Sequence, residues 1–500
     1  MHKKYYFGLV IILSFITLTN FIACNDRLES KIQMKTKSLH EIRRPAVSGA
    51  FYPADPEELK QLIQKYLSEA ESKVSGKIRG LVAPHAGYIF SGKTAAYPYK
   101  LLSEKQYDTV IILGPNHQDR TLRGASIPAV RYYKTPLGLV ELSPLAQKLL
   151  ENPLFTSHTS AHQKEHSIEV QLPFLQTVLD DFKFVPIVLS GVNAEKIAEA
   201  LAPHLDDKTL VIASTDLSHY RPYDVAVQKD NQTADAIVKI DIARMYLSEA
   251  CGQEPVLVLM HLARKFGWQA KLLDYRNSGD TAGDKSRVVG YCAVAFCKSA
   301  AGEKQEDIPT YSKLNPQQQE YLLSLARKTL KGYYRKNPPQ PDENTLDPRL
   351  AVPQASFVTL TKQGRLRGCI GNFLPELPLY RSVMNNTLSA ALNDSRFPIV
   401  REQELKELKI EISALSLPHK LEFGSPDDLL QKLRPNIDGV ILVQGRARAT
   451  FLPQVWAQLP DKIEFLEHLS QKAGLPPTAW RSPDTVIITY TVHAFEEGHE

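Results

Sequence analysis

Cysteine is scarce in this chain, which has five in 500 residues. Small domains held together by disulfides need a far higher density, so that class is excluded. Cys292 and Cys297 lie five residues apart in the run VVGYCAVAFC, a predicted strand. An odd spacing places them on opposite faces and roughly 16 Å apart. They therefore cannot form a disulfide with each other.

The chain also lacks a strong excess of charge of either sign. It has 60 Lys and Arg against 55 Asp and Glu, a formal net charge of +5, and no basic run is interleaved with aromatic residues. Nucleic-acid binding is therefore not expected. The 43% hydrophobic and 23% charged residues are typical of globular proteins, and 500 residues predict two or three domains.

A long apolar run occurs only once, at the amino terminus. A basic start precedes 17 mostly apolar residues that end at Ala23, and Cys24 follows. This pattern indicates a lipoprotein signal over residues 1–24, with lipid attached to the Cys24 thiol after cleavage. We expect residues 25–42 to form a polar tether and the protein to be anchored to a membrane of the cell envelope. An uncleaved anchor or an ordinary signal peptide are alternatives, and both also export the chain.

Three apolar, β-branched runs end in turns that carry a histidine. They are IRGLVAPHAG with His85, TVIILGPNH with His117, and TLVIASTDLSH with His219, where Asp216 lies in the same turn. Such runs are typical of buried parallel strands, whose carboxyl ends open onto a ligand-binding crevice. We therefore expect the imidazoles of His85 and His117 to lie within about 5 Å of each other, close enough to share a metal ion.

These residues form a plausible ligand set for a metal. His85 and His117 offer neutral nitrogens and Asp216 offers a carboxylate oxygen, which suits zinc or non-haem iron. A single histidine beside a strand is more often a hydrogen-bonded core or loop residue. Repetition at the same topological position is what favours a site.

A further histidine lies in the segment KEHSIEVQLPFL. His166 and Glu169 are three residues apart there, on one face of a predicted helix over residues 165–180. The pair could supply a fourth ligand or an acid–base group. We take His166 and His219 as the candidates for moving a proton.

The pattern of elements predicts two folded units. In the first, over residues 43–298, strand-like runs alternate with helical stretches, which indicates a mostly parallel sheet covered by helices. One of those helical stretches spans residues 224–248. Residues 299–312 are polar and lack a period, so we interpret them as a linker. Residues 313–500 then form a second unit of ordinary domain size, with strands and helices.

The first unit resembles the Memo family. The motifs PHAGYIFSG, LGPNH, EHSIEVQLPFL, STDLSHY and SGDTAGDKSRVVGY occur in this order. That family is similar in fold to the class III non-haem iron dioxygenases, the LigB-like extradiol enzymes, so the resemblance implies an α/β fold of that type. It also implies a metal pocket lined by His85, His117, Asp216 and His219.

The resemblance does not settle the identity of one protein ligand in that pocket. In animal members of the family a cysteine contributes from a late loop, and Thr281 stands at that place in this chain. Threonine is a poor metal ligand, so Asp216, Asp280 or His219 could take the position instead.

The second unit resembles the AMMECR family. The motifs LRGCIG, SRFPIV, DGVIL, FLPQVW and FLEHLSQKAGL carry the resemblance, which implies a smaller α+β domain. The family's chemistry is unassigned. Cys369 lies close to Arg365 and Arg367, and guanidinium groups favour a thiolate, so a reactive thiol at Cys369 is one hypothesis. A buried structural cysteine is the alternative.

A fusion of these two units resembles the bacterial AmmeMemoRadiSam system, whose third member looks like a radical-SAM enzyme. Iron–sulfur clusters of that kind are normally kept in the cytosol, so such a partner is expected only for a cytoplasmic chain. We predict a dioxygenase-like oxidoreductase with a divalent metal, iron first and zinc or copper as alternatives. The competing hypothesis is a non-catalytic module that binds a small molecule or a peptide.

Overall fold

The computed structural model describes residues 41–71, 74–103, 107–298, 311, 313–445 and 447–498. The predicted signal with Cys24 lies outside the described residues, as does the predicted tether up to residue 40. Ile42, the last residue of that tether, already belongs to a strand. Among the helices of the described ranges, none is long and apolar enough to cross a bilayer.

The elements follow in chain order. The strands are β1 (Ile42–Arg43), β2 (Lys77–Ala83), β3 (Thr109–Pro115), β4 (Gly124–Ser126), β5 (Tyr132–Thr135), β6 (Gly138–Glu141), β7 (Phe155–Thr156), β8 (Lys183–Ser190), β9 (Thr209–Ser214), β10 (His219–Arg221), β11 (Trp268–Asn277), β12 (Val288–Lys298), β13 (Ser356–Lys362), β14 (Arg365–Gly371), β15 (Leu408–Leu415), β16 (His419–Lys420), β17 (Gly439–Gln444), β18 (Ala447–Phe451), β19 (Val486–Tyr490) and β20 (Val492–Glu496). The α-helices are α1 (Pro56–Glu69), α2 (Tyr88–Lys100), α3 (Leu145–Leu149), α4 (Ser160–Gln163), α5 (Leu172–Val178), α6 (Ala194–Leu201), α7 (Tyr223–Val238), α8 (Ile242–Tyr246), α9 (Gln253–Phe266), α10 (Ser278–Ala282), α11 (Pro316–Tyr334), α12 (Pro348–Ala351), α13 (Leu379–Leu392), α14 (Pro426–Lys432) and α15 (Lys462–Lys472).

The first unit is built on a nine-stranded sheet. Its order is β10-β12-β2-β9-β3-β8-β4-β7, with β11 paired to β12. The central strands β2, β9, β3 and β8 are parallel to their neighbours, whereas β12 and β4 flank them in antiparallel pairing. This confirms the predicted α/β architecture with a mostly parallel sheet.

Helices cover both faces of this sheet. Its strands are therefore buried on both sides, which explains why their sequences are continuous apolar runs. Along β9, Val211 and Ala213 point into the core beneath α6, α8 and α9. Leu210 and Ile212 point into the opposite core, beneath α1, α2 and α5. Alternate residues of a strand face opposite sides, so both sets are buried.

Two helices differ from the sequence-based expectation. The predicted helix over residues 165–180 begins only at Leu172, because the carboxylates of Glu165 and Glu169 bind backbone amides and hold the preceding segment in another conformation. The predicted helix over residues 224–248 is interrupted between α7 and α8. Ile240 there has a positive φ of 51°, and Asp241 then caps α8 by accepting a hydrogen bond from the Arg244 amide.

The second unit contains two antiparallel sheets, β14-β13-β15-β20 and β16-β19-β17-β18. Helices α11 and α13 pack on one face of the first sheet, and α14 and α15 pack on one face of the second. This is the smaller α+β domain that the sequence predicts.

The two units share one apolar core. Buried residues of the second unit, among them Ile441, Val443 and Tyr490, join the cluster formed by α6, α8 and α9 of the first. Polar contacts surround this core: Lys420 pairs with Glu195, and Arg448 donates to the Leu247 carbonyl, 3.0 Å away. A continuous apolar core is typical of permanent interfaces.

We therefore expect the two units to stay together without a covalent link. Cleavage at a specific protease site introduced into the predicted linker should leave both fragments eluting as one particle in size-exclusion chromatography. Val443→Asp places an unpaired charge in the shared core, so after cleavage that variant should separate into two particles. Separation of the wild-type fragments in buffer without denaturant would contradict a shared core.

Candidate metal centre

The parallel strands of the first unit bring His85 and His117 together. His85 follows β2 and His117 follows β3, and both strands pair with β9 between them. The two imidazole centroids are 5.2 Å apart, about the separation that the sequence predicts. The structure thus places both residues at one edge of the sheet.

His166 completes a group of three histidines. Ligand atoms of His85, His117 and His166 all lie within 4.8 Å of one another. The His166 ring stacks on the His117 ring at 4.9 Å, and Phe51 packs against it at the same centroid distance. The sequence predicts Asp216 as a ligand and His166 in a supporting role, whereas in the structure the three histidines form the tightest group.

A glycine lets the His166 segment approach the sheet. A Cβ added to Gly114, near the end of β3, would lie 2.5 Å from the Ser167 hydroxyl and 2.8 Å from the Ile168 side chain. With any residue other than glycine at this position, the His166 segment or the strand would have to shift. The Ser167 hydroxyl donates to the Pro115 carbonyl and fixes the segment there.

The tautomer of His85 follows from its neighbours. The Ser214 hydroxyl donates to the Ser167 carbonyl at 2.7 Å and accepts from the Gln171 amide at 2.8 Å. Because its only proton is used, it accepts from His85 Nδ1, 2.9 Å away. The protonated nitrogen of His85 is therefore Nδ1, and the lone pair lies on Nε2, which suits a metal ligand.

Glu165 orients the ring of His117 through a hydrogen bond to Nδ1, as Ser214 does for His85. Its carboxylate lies 3.0 Å from His117 Nδ1 and accepts from the backbone amides of His117 and Ser167. Burial alone raises the pKa of Glu165, but the hydrogen bond and charge of His117 and the Ser167 amide outweigh it and lower the pKa to about 2. An ionised Glu165 accepts a hydrogen bond from Nδ1–H, so the neutral form of His117 has its lone pair on Nε2.

Burial keeps two of the site's imidazoles, those of His85 and His166, neutral. Burial lowers the pKa of His85 well below its usual value, and the neighbouring histidines lower it further. Burial likewise lowers the pKa of His166. The side chains of His117 and His166 are 22% and 17% exposed, so this part of the group is open to solvent. Neutral imidazoles with an open side are what a metal ligand set requires.

Asp216 lies beside the three histidines. One carboxylate oxygen accepts from the His85 amide at 2.8 Å, and the other is 3.9 Å from His85 Nε2. Burial raises the pKa of Asp216 to about 7. The carboxyl group can therefore hold or release a proton near neutral pH, next to the proposed ligands.

The other sequence candidates occupy different surroundings. His219 Nδ1 donates to the Leu217 carbonyl at 2.9 Å, and its charge contributes to the lowered pKa of His85. Asp280 accepts from the Asn277 amide and the Tyr223 hydroxyl, so it caps α10. Thr281 lies 3.5 Å from the Ser278 carbonyl.

Glu169, expected to work with His166, serves the fold instead. It is fully buried, pairs with Arg43, and accepts from the amides of Ala46 and Val47 and from the Tyr52 hydroxyl. These bonds tie the segment before α1 to the wall of the site. The i, i+3 pairing fails because the segment is not α-helical there.

Cys251 also lies beside the site, and no sequence pattern predicts it there. Cys251 Sγ lies 3.3 Å from His85 Nε2, although the two residues are 166 positions apart. Nothing around Cys251 in the sequence marks it, because its position depends on how the segment before α9 folds back against the end of β9.

Cys369 lies in the second unit, on β14. Its sulfur accepts from the Thr359 hydroxyl at 3.3 Å. Arg367, expected to favour a thiolate, pairs with Glu404 and donates to the Pro398 carbonyl. That guanidinium charge is balanced by a carboxylate, which removes part of the physical reason for a reactive thiol. A catalytic role for Cys369 stays a prediction.

Comparison with known proteins identifies both units. The family model of Memo-like proteins matches residues 43–295, about half of the chain. The chain belongs to the Memo family. The AMMECR1 family model matches residues 323–495, so this Memo protein carries an AMMECR1 domain after its Memo domain. Both resemblances drawn from the motifs are confirmed.

Individual relatives cover the Memo domain. A MEMO1 family protein of Methanopyrus kandleri is 41% identical over 51% of this chain and 98% of its own length. A second, from Thermoplasma volcanium, is 38% identical over 51% of this chain and 99% of its own length. A crystal structure of an uncharacterized protein from Pyrococcus horikoshii is 34% identical, covers 36% of this chain and 92% of its own, and has a TM-score of 0.34.

The role of Glu165 can be tested directly. Glu165→Gln keeps the size of the side chain but removes the charge that holds the Nδ1 proton of His117. Loss of such a supporting carboxylate typically weakens metal binding by about 10–100-fold. We expect that loss in cobalt(II) titrations of the metal-free Memo protein, while the exposed Glu151→Gln should bind as the wild type does. Unchanged affinity in a folded Glu165→Gln protein would show that Glu165 does not support a metal ligand.

Proposed function

We propose that the Memo domain is a metal-dependent oxidoreductase of the dioxygenase type, with ferrous iron as the metal and zinc or copper as alternatives. The observation that supports this most strongly is the convergence of His85, His117 and His166 within 4.8 Å at the carboxyl edge of a parallel sheet. Ligands bind at this edge in open α/β folds. Neutral imidazoles beside a carboxyl group form a set that suits a divalent first-row metal.

The residues around this group have separate tasks in the proposal. His85 and His117 would hold the metal through Nε2, and His166 or Asp216 would complete the set. Ferrous iron would supply the chemistry that lets dioxygen react with an organic substrate. The open side, at His117 and His166, admits the substrate, since the opposite side is closed by His85, which is 2% exposed.

Proton transfer falls to neighbouring groups. Asp216, with a pKa of about 7, can take a proton from the substrate or return one at neutral pH. His166 is neutral because burial lowers its pKa, so it can act as a base when it is not a ligand. His219 donates through Nδ1 to the Leu217 carbonyl, so the neutral ring has its lone pair on Nε2.

A second candidate function is non-catalytic binding of a small ligand or peptide, as part of an AmmeMemoRadiSam-type system. Tyr220, next to His219, favours it. This tyrosine is 62% exposed and has a positive φ of 57°, and the Arg287 guanidinium lies 5.2 Å from its ring. Non-glycine residues held in this conformation are concentrated at functional sites.

His85→Ala separates the two functions. If the domain is an oxidoreductase, iron-loaded wild type should consume oxygen with a catechol-type or thiol substrate, and His85→Ala should lose both the metal and this activity. The fold should survive, because the lost side-chain hydrogen bond costs about 1 kcal/mol. Oxygen consumption, metal content and thermal melting measure the three effects. His468→Ala, an exposed position in the AMMECR1 domain, serves as the control.

Two results would contradict the proposal. If iron-loaded wild type binds ligands but consumes no oxygen across a broad substrate panel, the binding function replaces catalysis. If His85→Ala unfolds the protein, His85 is a structural residue and neither function of the site stands.

A further inference from the structure

A cleft of about 640 Å³ opens beside β1 and β5 of the Memo domain. Sites for small molecules typically have volumes of about 300–1,000 Å³, so this cleft has room for one. Its lining residues come from the segment over residues 42–54 and from residues 134–136. None of them belongs to the candidate metal centre. The cleft is therefore a separate place on the domain, and the proposed function gives it no role.

Two cations face this cleft from neighbouring strands. β1 and β5 are parallel, and Arg43 pairs with Tyr133 in their register. The residues that follow, Arg44 and Lys134, therefore stand side by side, and both line the cleft. Arg43 and Tyr133 are buried, whereas Arg44 and Lys134 are exposed, as the alternation of side chains along a strand requires.

The charges of Arg44 and Lys134 are not compensated within the described residues. No carboxylate lines the cleft, and neither cation forms an ion pair with a described carboxylate. The neighbouring Arg43 pairs with Glu169 instead, and Asp55 uses its carboxylate to cap α1. Like charges opposite each other on neighbouring strands destabilise a sheet. An anion bound between the two cations would remove that repulsion.

The walls of the cleft are held in place without a ligand. Pro45 and Pro136 lie just after the two cations, and the proline ring fixes the backbone angle φ. The Thr135 hydroxyl donates to Gln176 Oε1 at 2.6 Å and anchors the turn that carries one cation. On the other wall, the amides of the two residues after Pro45 donate to Glu169. Such preorganisation lowers the entropy lost when a ligand binds.

The chemistry of the cleft fits a phosphate monoester. This group carries a charge of about −1.5 to −2 at neutral pH, which matches two cations. A guanidinium group binds phosphate through two parallel hydrogen bonds, and the ammonium group of lysine adds a second charge. The Ser48 hydroxyl, which also lines the cleft, is a further donor. Ile42 and Ala54 provide apolar surface for the organic part of the ester.

We propose that this cleft binds the phosphate group of a small phosphate monoester through Arg44 and Lys134. A soluble ester and the headgroup of phosphatidic acid present the same dianion, so the chemistry of the cleft accepts both. The charge of the preceding segment disfavours it as the occupant. Residues 25–40 contain four Lys and Arg against two Asp and Glu, so their net charge has the same sign as the cleft.

Isothermal titration of the full-length, metal-free protein with glycerol 3-phosphate tests this proposal. Wild type should bind the ester. The double variant Arg44→Gln, Lys134→Gln should bind it at least about tenfold more weakly, because charge-assisted hydrogen bonds are lost. The control Lys265→Gln, Arg335→Gln removes the same charge from exposed positions elsewhere and should bind as the wild type does. All four side chains are exposed, so both variants should fold, which circular dichroism checks.

Vesicles distinguish the two sources of the phosphate. Cosedimentation with phosphatidylcholine vesicles that contain phosphatidic acid, lost in the Arg44→Gln, Lys134→Gln variant, would assign the group to a lipid headgroup. Phosphatidylglycerol is a phosphodiester with a single charge, so vesicles that contain it should not bind. Binding of glycerol 3-phosphate without cosedimentation would assign a soluble ester. Both results support the cleft as a site for a phosphate monoester.

Three results would overturn the proposal. The first is equal binding of the ester by wild type and by the Arg44→Gln, Lys134→Gln variant, which would place the site elsewhere. The second is an equal loss in the Lys265→Gln, Arg335→Gln control, which would reduce the effect to net charge. The third is that wild type binds neither glycerol 3-phosphate nor vesicles with phosphatidic acid.

Discussion

The parallel register of β2, β9 and β3 is the constraint on which the site depends. Ala83 pairs with Ser214, and Leu113 pairs with Ala213, so the three strands end at the same level. His85, Asp216 and His117 follow those ends within three residues and meet at one edge. A shift of one residue in this register would turn side chains to the opposite face of the sheet. The burial of both faces by helices makes such a shift costly.

A second layer of residues orients the rings of His85 and His117 so that they can act as metal ligands. Ser214 and Glu165 each accept a hydrogen bond from Nδ1–H of one histidine, so the neutral rings present their lone pairs on Nε2. Neither residue needs to touch a metal. The carboxylate of Glu165 also holds the segment that delivers His166, through the backbone amides of His166 and Ser167. The same group therefore shapes the backbone and the chemistry of the site.

The sequence predicts the sheet edge well because its signal is local. Continuous β-branched runs indicate buried strands. Because these strands are parallel, the residues that follow them, His85 and His117, lie at the same edge of the sheet. The role of His166 is harder to predict, since the carboxylates of Glu165 and Glu169 prevent the helix that the pattern favours. Cys251 reaches His85 only through the packing of a distant segment. Such long-range contacts leave no periodic signal in the chain.

No pattern in the sequence predicts the contact between the two domains. In the sequence, Ile441 and Tyr490 resemble ordinary core residues of their own strands. In the structure they belong to an apolar core that also contains residues of the Memo domain. Because Arg448 of the AMMECR1 domain binds the carbonyls before Cys251, the fusion places this domain against the segment that borders the candidate metal centre.

Anomalous X-ray diffraction from crystals of the cobalt-loaded protein would test the metal centre most directly. A centre at the strand ends requires a cobalt ion within about 2.1 Å of Nε2 of both His85 and His117. Full loading with cobalt bound elsewhere, and no anomalous peak between these two nitrogens, would contradict it.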